Sequence, residues 1–300
     1  MANTNQKKSN FVQDFFLGGI SGSIAKTVSA PIERVKLLLQ TQESNFQLTQ
    51  KKYKGIGDCF IRIYKEEGVL AYWKGNWANI IRYFPTTAFN FAFKDFFLRT
   101  FQKYDPNTQP KLFLLGNVLA GGSAGACCML IVYPLDFART RLGVDIGKHG
   151  ERQFNSLRHC FVDIFKKNGI RGLYQGLGLS MFSIFTYRGM YFGGFDTGKK
   201  LVQGYTEKSF WFKFAFAQFV TMTSETINYP LDTVRRRMMM NSGLKEKIYR
   251  NTFHCFGEIA KREGLIAFFR GNLTNMIRSV SSSLVLVLYD EFQAYIKKYK

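Results

Sequence analysis

Uncharged residues come in long runs along this chain. From Leu112 to Leu135 there are 24 residues without one charge, and about 20 suffice to cross a bilayer as a helix. Other runs stop at a single charge. Phe15–Ala25 ends at Lys26 and Gly172–Tyr187 ends at Arg188. Phe214–Ser224 ends at Glu225, while Tyr83–Phe93 follows Arg82 and Ser279–Tyr289 follows Arg278. In a soluble protein such segments would be amphipathic core helices. A lone charge inside a long apolar span instead faces a polar cavity or a partner. The pattern predicts six spanning helices, at 11–40, 76–102, 111–143, 178–203, 210–240 and 272–298, in an all-α membrane protein.

The segments belong to a threefold repeat, 11–102, 111–203 and 210–298. Pro31, Pro134 and Pro230 are 103 and 96 residues apart. Two positions after each stands an acid, Glu33, Asp136 or Asp232. Five after each stands a base, Lys36, Arg139 or Arg235. Further on, Glu67–Gly68 leads to Trp73–Lys74–Gly75, Asn168–Gly169 to Tyr174–Gln175–Gly176, and Glu263–Gly264 to Phe269–Arg270–Gly271. A proline inside a helix removes a hydrogen bond and bends it. Residues three apart share a helix face. Three bent helices around an axis can therefore set the acid of one repeat against the base of the next. The expected pairs are Glu33 with Arg139, Asp136 with Arg235, and Asp232 with Lys36. The plainer alternative is three local ion pairs on solvated helices. Gly18, Gly19 and Gly22, and Gly121, Gly122 and Gly125, would let helices approach closely; the third repeat has only Ala215 and Ala217 there.

Composition narrows the partners. The 300 residues carry 42 Lys and Arg against 21 Asp and Glu, a net charge of +21. That favours a polyanion: nucleic acid, anionic lipid or a phosphorylated metabolite. The uncharged span argues against nucleic acid. Mean hydropathy is only −0.13, but aromatics reach 16 %, with 31 Phe, which suits lipid. Five cysteines without C-x-x-C pairing argue against a zinc ribbon and a disulfide framework, and no metal or cofactor is expected. Cys59, Cys160 and Cys255 follow the three prolines at similar offsets, and Cys127 and Cys128 fall within the third span; all five are expected as reduced thiols. The first ten residues lack the apolar core of a secretory signal.

The threefold P-x-[DE]-x-x-[KR] pattern resembles the mitochondrial carrier family over essentially the whole chain. Within that family the resemblance is strongest to the ADP/ATP-exchanging branch. It rests on the run Arg235, Arg236, Arg237, Met238, Met239, Met240, and on PIERVKLLLQ from Pro31, IRYFP from Ile81, FNFAFKD from Phe89, PLDFARTRL from Pro134 and VLVLYDE from Val285. The resemblance implies a six-helix bundle, multi-pass in the mitochondrial inner membrane, with a central cavity closed alternately at either end. Short amphipathic helices would lie on the matrix surface, where the family binds cardiolipin, and both termini would face the intermembrane space. The proline-level ring would be the matrix gate, braced by Gln40. A second ring, [FY]-[DE]-x-x-[KR], would close the cytosolic side. In the cavity, Lys26, Arg82 and Arg278 would hold phosphates, and Tyr187, beside Ile184, would stack on adenine. Arg188 reads better as a packing charge between helices. The implied activity is exchange of ADP for ATP, which involves no covalent chemistry and so no enzyme.

Several positions depart from the family pattern. Ser183 replaces a glycine beside the adenine, Asn228 a serine, and Ser281 and Ser282 a glycine pair. The cytosolic ring is intact in the second repeat, with Asp196 and Lys199, but the first has Leu98 after Asp95 and the third Gln293 after Asp290 where bases are expected. Arg99 stands one residue late, about 100° round the helix. Glu225 stands five residues before Pro230, as Lys26 stands five before Pro31, so both should face the cavity, where Glu225 is expected to pair with a cation, Lys26 ahead of Arg236. These departures keep two alternatives open: a carrier for another nucleotide or anion, and a carrier-fold structural subunit of a larger inner-membrane complex.

Overall fold

A computed structural model describes residues 2–48, 52–101, 103–105, 108–146, 152–201, 210–244 and 247–280. Five long helices are α1 (Ala2–Thr41), α3 (Asn76–Phe101), α4 (Pro110–Gly143), α6 (Leu177–Leu201) and α7 (Phe210–Asn241). Three shorter ones are α2 (Ile56–Glu67), α5 (Leu157–Leu173) and α8 (Thr252–Arg262). Helix α9 begins at 272 and is described to 280; the rest of the sixth expected span, with Ser281 and Ser282, lies outside the described residues.

Packing follows chain order around a ring. Helix α3 lies against α1 and α4, α4 against α6, and α6 against α7, while α1 also meets α7. Pro31, Pro134 and Pro230 each sit inside their helices. Small residues make the close approaches: a β-carbon on Gly22 would overlap the Tyr83 ring, and one on Gly122 the Phe185 ring.

Each repeat builds its own small core where a short helix docks under its proline helix. Cys59 and Ile63 of α2, Cys160 and Ile164 of α5, and Cys255 and Ile259 of α8 are one turn apart and buried, as neighbours on one helix face should be. Ser156 and Asn251 cap α5 and α8 through the amides of His159 and His254, a favoured use of short polar side chains. A turn then leads back through Gly75, Gly176 or Gly271, each at positive φ. A β-carbon there would crowd the carbonyl oxygen of Arg139, Arg235 and Lys36 respectively. Glycine is thus required twice over, by conformation and by contact.

The bundle is polar within and apolar without. Ile20, Ile24, Val28, Leu130, Ile131, Phe182, Phe219 and Ile227 are exposed on the outer faces. Among the described residues one helix, Pro110–Gly143, is long and apolar enough to span by length and composition alone. Of the others, α3 and α7 carry half-buried or buried charges at Arg82, Glu225 and Asp232.

Candidate functional site

At the proline level α1, α4 and α7 converge. Arg139 pairs with Glu33, Arg235 with Asp136, and Lys36 Nζ donates to Asp232 Oδ2 at 3.0 Å. All three cross from one repeat to another, as the spacing had suggested. The same-helix alternatives are longer: Arg139–Asp136 is 3.8 Å and Arg235–Asp232 is 3.9 Å. Gln40 Nε2 donates to Asp232 Oδ2 and Thr233 Oγ1, both at 3.1 Å. Tyr229 lies under Lys36, with its ring centre 5.2 Å from the ammonium.

Arg236 is a fourth cation in the ring. It lies 3.4 Å from Asp232 and 3.7 Å from Asp136 and donates to Thr140. Arg235 also lines the cavity, whereas Arg237 and the three methionines lie away from it. Arg237 pairs with Glu263. Met238 packs in the third repeat's core, Met239 in the second's and Met240 in the first's. Three consecutive side chains thus join three separate cores.

Above the ring is a cavity of two adjoining lobes, about 300 Å³ and about 200 Å³, which share Ser183, Tyr187 and Asn228. Arg82 lines the larger lobe with Ile184 and Arg188; Arg278, Lys36 and Glu225 line the smaller. Arg82 donates to Asn79 Oδ1 at 3.3 Å and lies 3.7 Å from Asp136. Lys26 is half-buried on α1. Tyr187, Tyr191 and Phe195 stack along α6 with ring centres 6.1 and 6.0 Å apart.

Two of the unusual residues touch. Asn228 Nδ2 donates to Ser183 Oγ at 2.6 Å, and Thr186 Oγ1 donates to Asn228 Oδ1 at 2.7 Å. Glu225 faces the cavity, but its partner is not Lys26. Its carboxylate accepts from Asn275 Nδ2 at 2.8 Å and lies 3.5 Å from Arg278 Nη2. The proline register gave the depth of Glu225 and not its lateral neighbour, which is α9 rather than α1. Arg188 does lie against Gly121, but it also lines the cavity, so the reading of it as packing alone is corrected.

Of the cytosolic ring, Asp95 and Arg99 are exposed on α3 and Leu98 is half-buried. Asp196 and Lys199 belong to α6, but their side chains, like Asp290 and Gln293, lie outside the described residues. In the short helices α2, α5 and α8, burial pushes the thiols of Cys59, Cys160 and Cys255 up to about 12.

A family model, mitochondrial carrier protein, matches this chain three times in succession, at residues 7–105, 110–206 and 206–300. The chain belongs to the mitochondrial carrier family. It is 51 % identical over 296 residues to the mitochondrial substrate carrier family protein ancA of Dictyostelium discoideum, covering 97 % of this chain and 96 % of that one. It is 50 % identical to ADP/ATP translocase 2 of Bos taurus, covering 95 % and 98 %. It is 49 % identical to ADP/ATP translocase 4 of Mus musculus, covering 96 % and 91 %. Members of this family are transporters, and the chain has their all-α architecture of three pseudo-symmetric repeats.

Reading the carrier's sequence missed three things. Asn79 and Asn275 orient the cavity arginines; each stands three residues before its arginine, a spacing that could have found them. Arg236, expected in the Arg-Met run and as a second candidate partner of Glu225, instead joins the ring at Asp232 and Asp136. The contact between Ser183 and Asn228 has no signal in a single sequence.

Proposed function

We propose that this carrier exchanges ADP for ATP across the mitochondrial inner membrane, as a multi-pass protein that opens alternately to either side. The observation that carries the reading is the stacking of two devices. A cavity lined by Arg82, Arg278 and Tyr187, with Lys26 half-buried on α1, adjoins a ring of three inter-repeat ion pairs. Guanidinium groups suit phosphate oxygens, and a tyrosine face suits a purine. The ring at Glu33, Lys36, Asp136, Arg139, Asp232 and Arg235 is the matrix gate, here closed, and Gln40 braces it. Opening it breaks three pairs at once, so substrate contacts must offset that cost. The outward apolar side chains support the membrane placement. No bond is made or broken in this cycle.

One observation favours a second reading, carriage of another nucleotide. Ser183 and Asn228 place a hydrogen-bonded amide beside Tyr187, where base identity would be read. A panel separates the two. Purified protein in liposomes loaded with ADP is offered labelled ATP, GTP and phosphate. Uptake of ATP well above GTP and phosphate supports ADP/ATP exchange; preference for GTP supports the second reading, and phosphate alone contradicts both.

A further inference from the structure

Glu225 and Lys26 occupy equivalent places, five residues before Pro230 and Pro31. The next helix of the first and third repeats carries another equivalent pair, Asn79 with Arg82 on α3 and Asn275 with Arg278 on α9. In the first repeat Asn79 accepts from Arg82 at 3.3 Å and donates to the gate acid Glu33 at 3.2 Å. In the third repeat Asn275 accepts from Arg278 Nε and Nη2 at 3.3 and 3.2 Å, but donates to Glu225 Oε2 at 2.8 Å. The gate acid Asp232 is engaged elsewhere, by Lys36, Gln40 and Arg236. Arg278 Nη2 closes the cycle, 3.5 Å from Glu225 Oε1. Where the first repeat sets two cations, Lys26 and Arg82, the third sets an acid and a base.

We infer that Glu225 is a built-in counter-ion for Arg278, which holds the place of a substrate phosphate in the empty carrier and biases the cavity toward the less charged nucleotide. This deepens the nucleotide reading above and rests on it. A phosphate that reaches Arg278 must displace the Glu225 carboxylate, and Asn275 is placed to keep the displaced acid nearby. The carboxylate then opposes every further negative charge on the ligand. ATP carries one more than ADP. A unit charge ~10 Å away at an effective dielectric near ~20 alters affinity on the order of tenfold. Glu225 should therefore weaken ATP more than ADP by about that factor.

The test is titration of magnesium-free ADP and ATP into the purified full chain, its E225Q and E225G variants, and E225D as the variant that keeps the charge. Thermal melting checks that each is folded, and E225G serves if E225Q is not. Both neutral variants should tighten ATP on the order of tenfold more than ADP, an effect that shrinks with added salt. E225D should keep the parent's ratio within about threefold. A neutral variant whose ratio stays within about twofold of the parent's, while the parent binds both nucleotides, overturns this inference alone. Binding of neither nucleotide by parent or variants overturns the nucleotide reading and the inference together.

Discussion

Lys36 Nζ donates to Asp232 Oδ2 at 3.0 Å, although 196 positions separate the two residues. The contact ties the first repeat to the third and completes the ring. It follows that the two charges can be exchanged. Lys36→Asp and Asp232→Lys should each abolish exchange, because each leaves a partly buried charge without its partner, a change that typically costs ~3–5 kcal/mol. The double variant should recover a substantial part of exchange. Equal failure of single and double variants would show that the pair is not a gate element.

That pairing was legible because two independent periods coincide. Acid and base lie three apart on one helix face, and the proline motif recurs in each third of the chain. Depth in the bundle is therefore encoded in the sequence, and Arg82, Arg278 and Glu225 line the cavity. The lateral neighbour of Glu225 is not encoded. Which helix stands beside α7 at the level of Glu225 depends on bundle geometry, so Arg278 rather than Lys26 is its partner. The Arg-Met run was legible as a tag but not as a junction, because its three methionines serve three cores that are distant in sequence.

The junction makes a prediction of its own. Met239 is fully buried against Tyr133, Phe137 and Ile164. Met239→Ala should destabilise the protein by ~2–5 kcal/mol without altering which nucleotide it prefers, since Met239 does not line the cavity. Thermal melting and the ATP-to-ADP affinity ratio check the two halves. A stable variant with altered preference would place Met239 in substrate binding instead.

The contact between Ser183 and Asn228 concerns base choice. Both line the cavity, so breaking it exposes the groups to water and costs little stability, about 1 kcal/mol. Asn228→Ala should change the ratio of ATP to GTP affinity by about fivefold or more. A competition titration measures it. An unchanged ratio would place the base away from α7.

The three thiols of the short helices bear on pH. Each is buried, and burial raises the folded value to about 12 from the ordinary 9.0. The fold therefore favours the neutral thiol. This contribution is fully present below pH 9, where the unfolded chain is also protonated, and is lost as pH rises from about 9 towards 12. Replacing Cys59, Cys160 and Cys255 with alanine should flatten the fall in melting temperature over that window. In the native protein at pH 8 all three should react with iodoacetamide far more slowly than after denaturation. Rapid native labelling would mean that these cores open.

The central claim is obligatory exchange through one cavity with a closed gate. It is tested most directly by uptake of labelled ATP into liposomes containing the purified protein, with and without ADP inside. The account predicts uptake only into ADP-loaded vesicles, with one ADP leaving for each ATP that enters, and loss of that uptake in Arg82→Ala. Equal uptake into empty vesicles, or none into loaded ones, would contradict it.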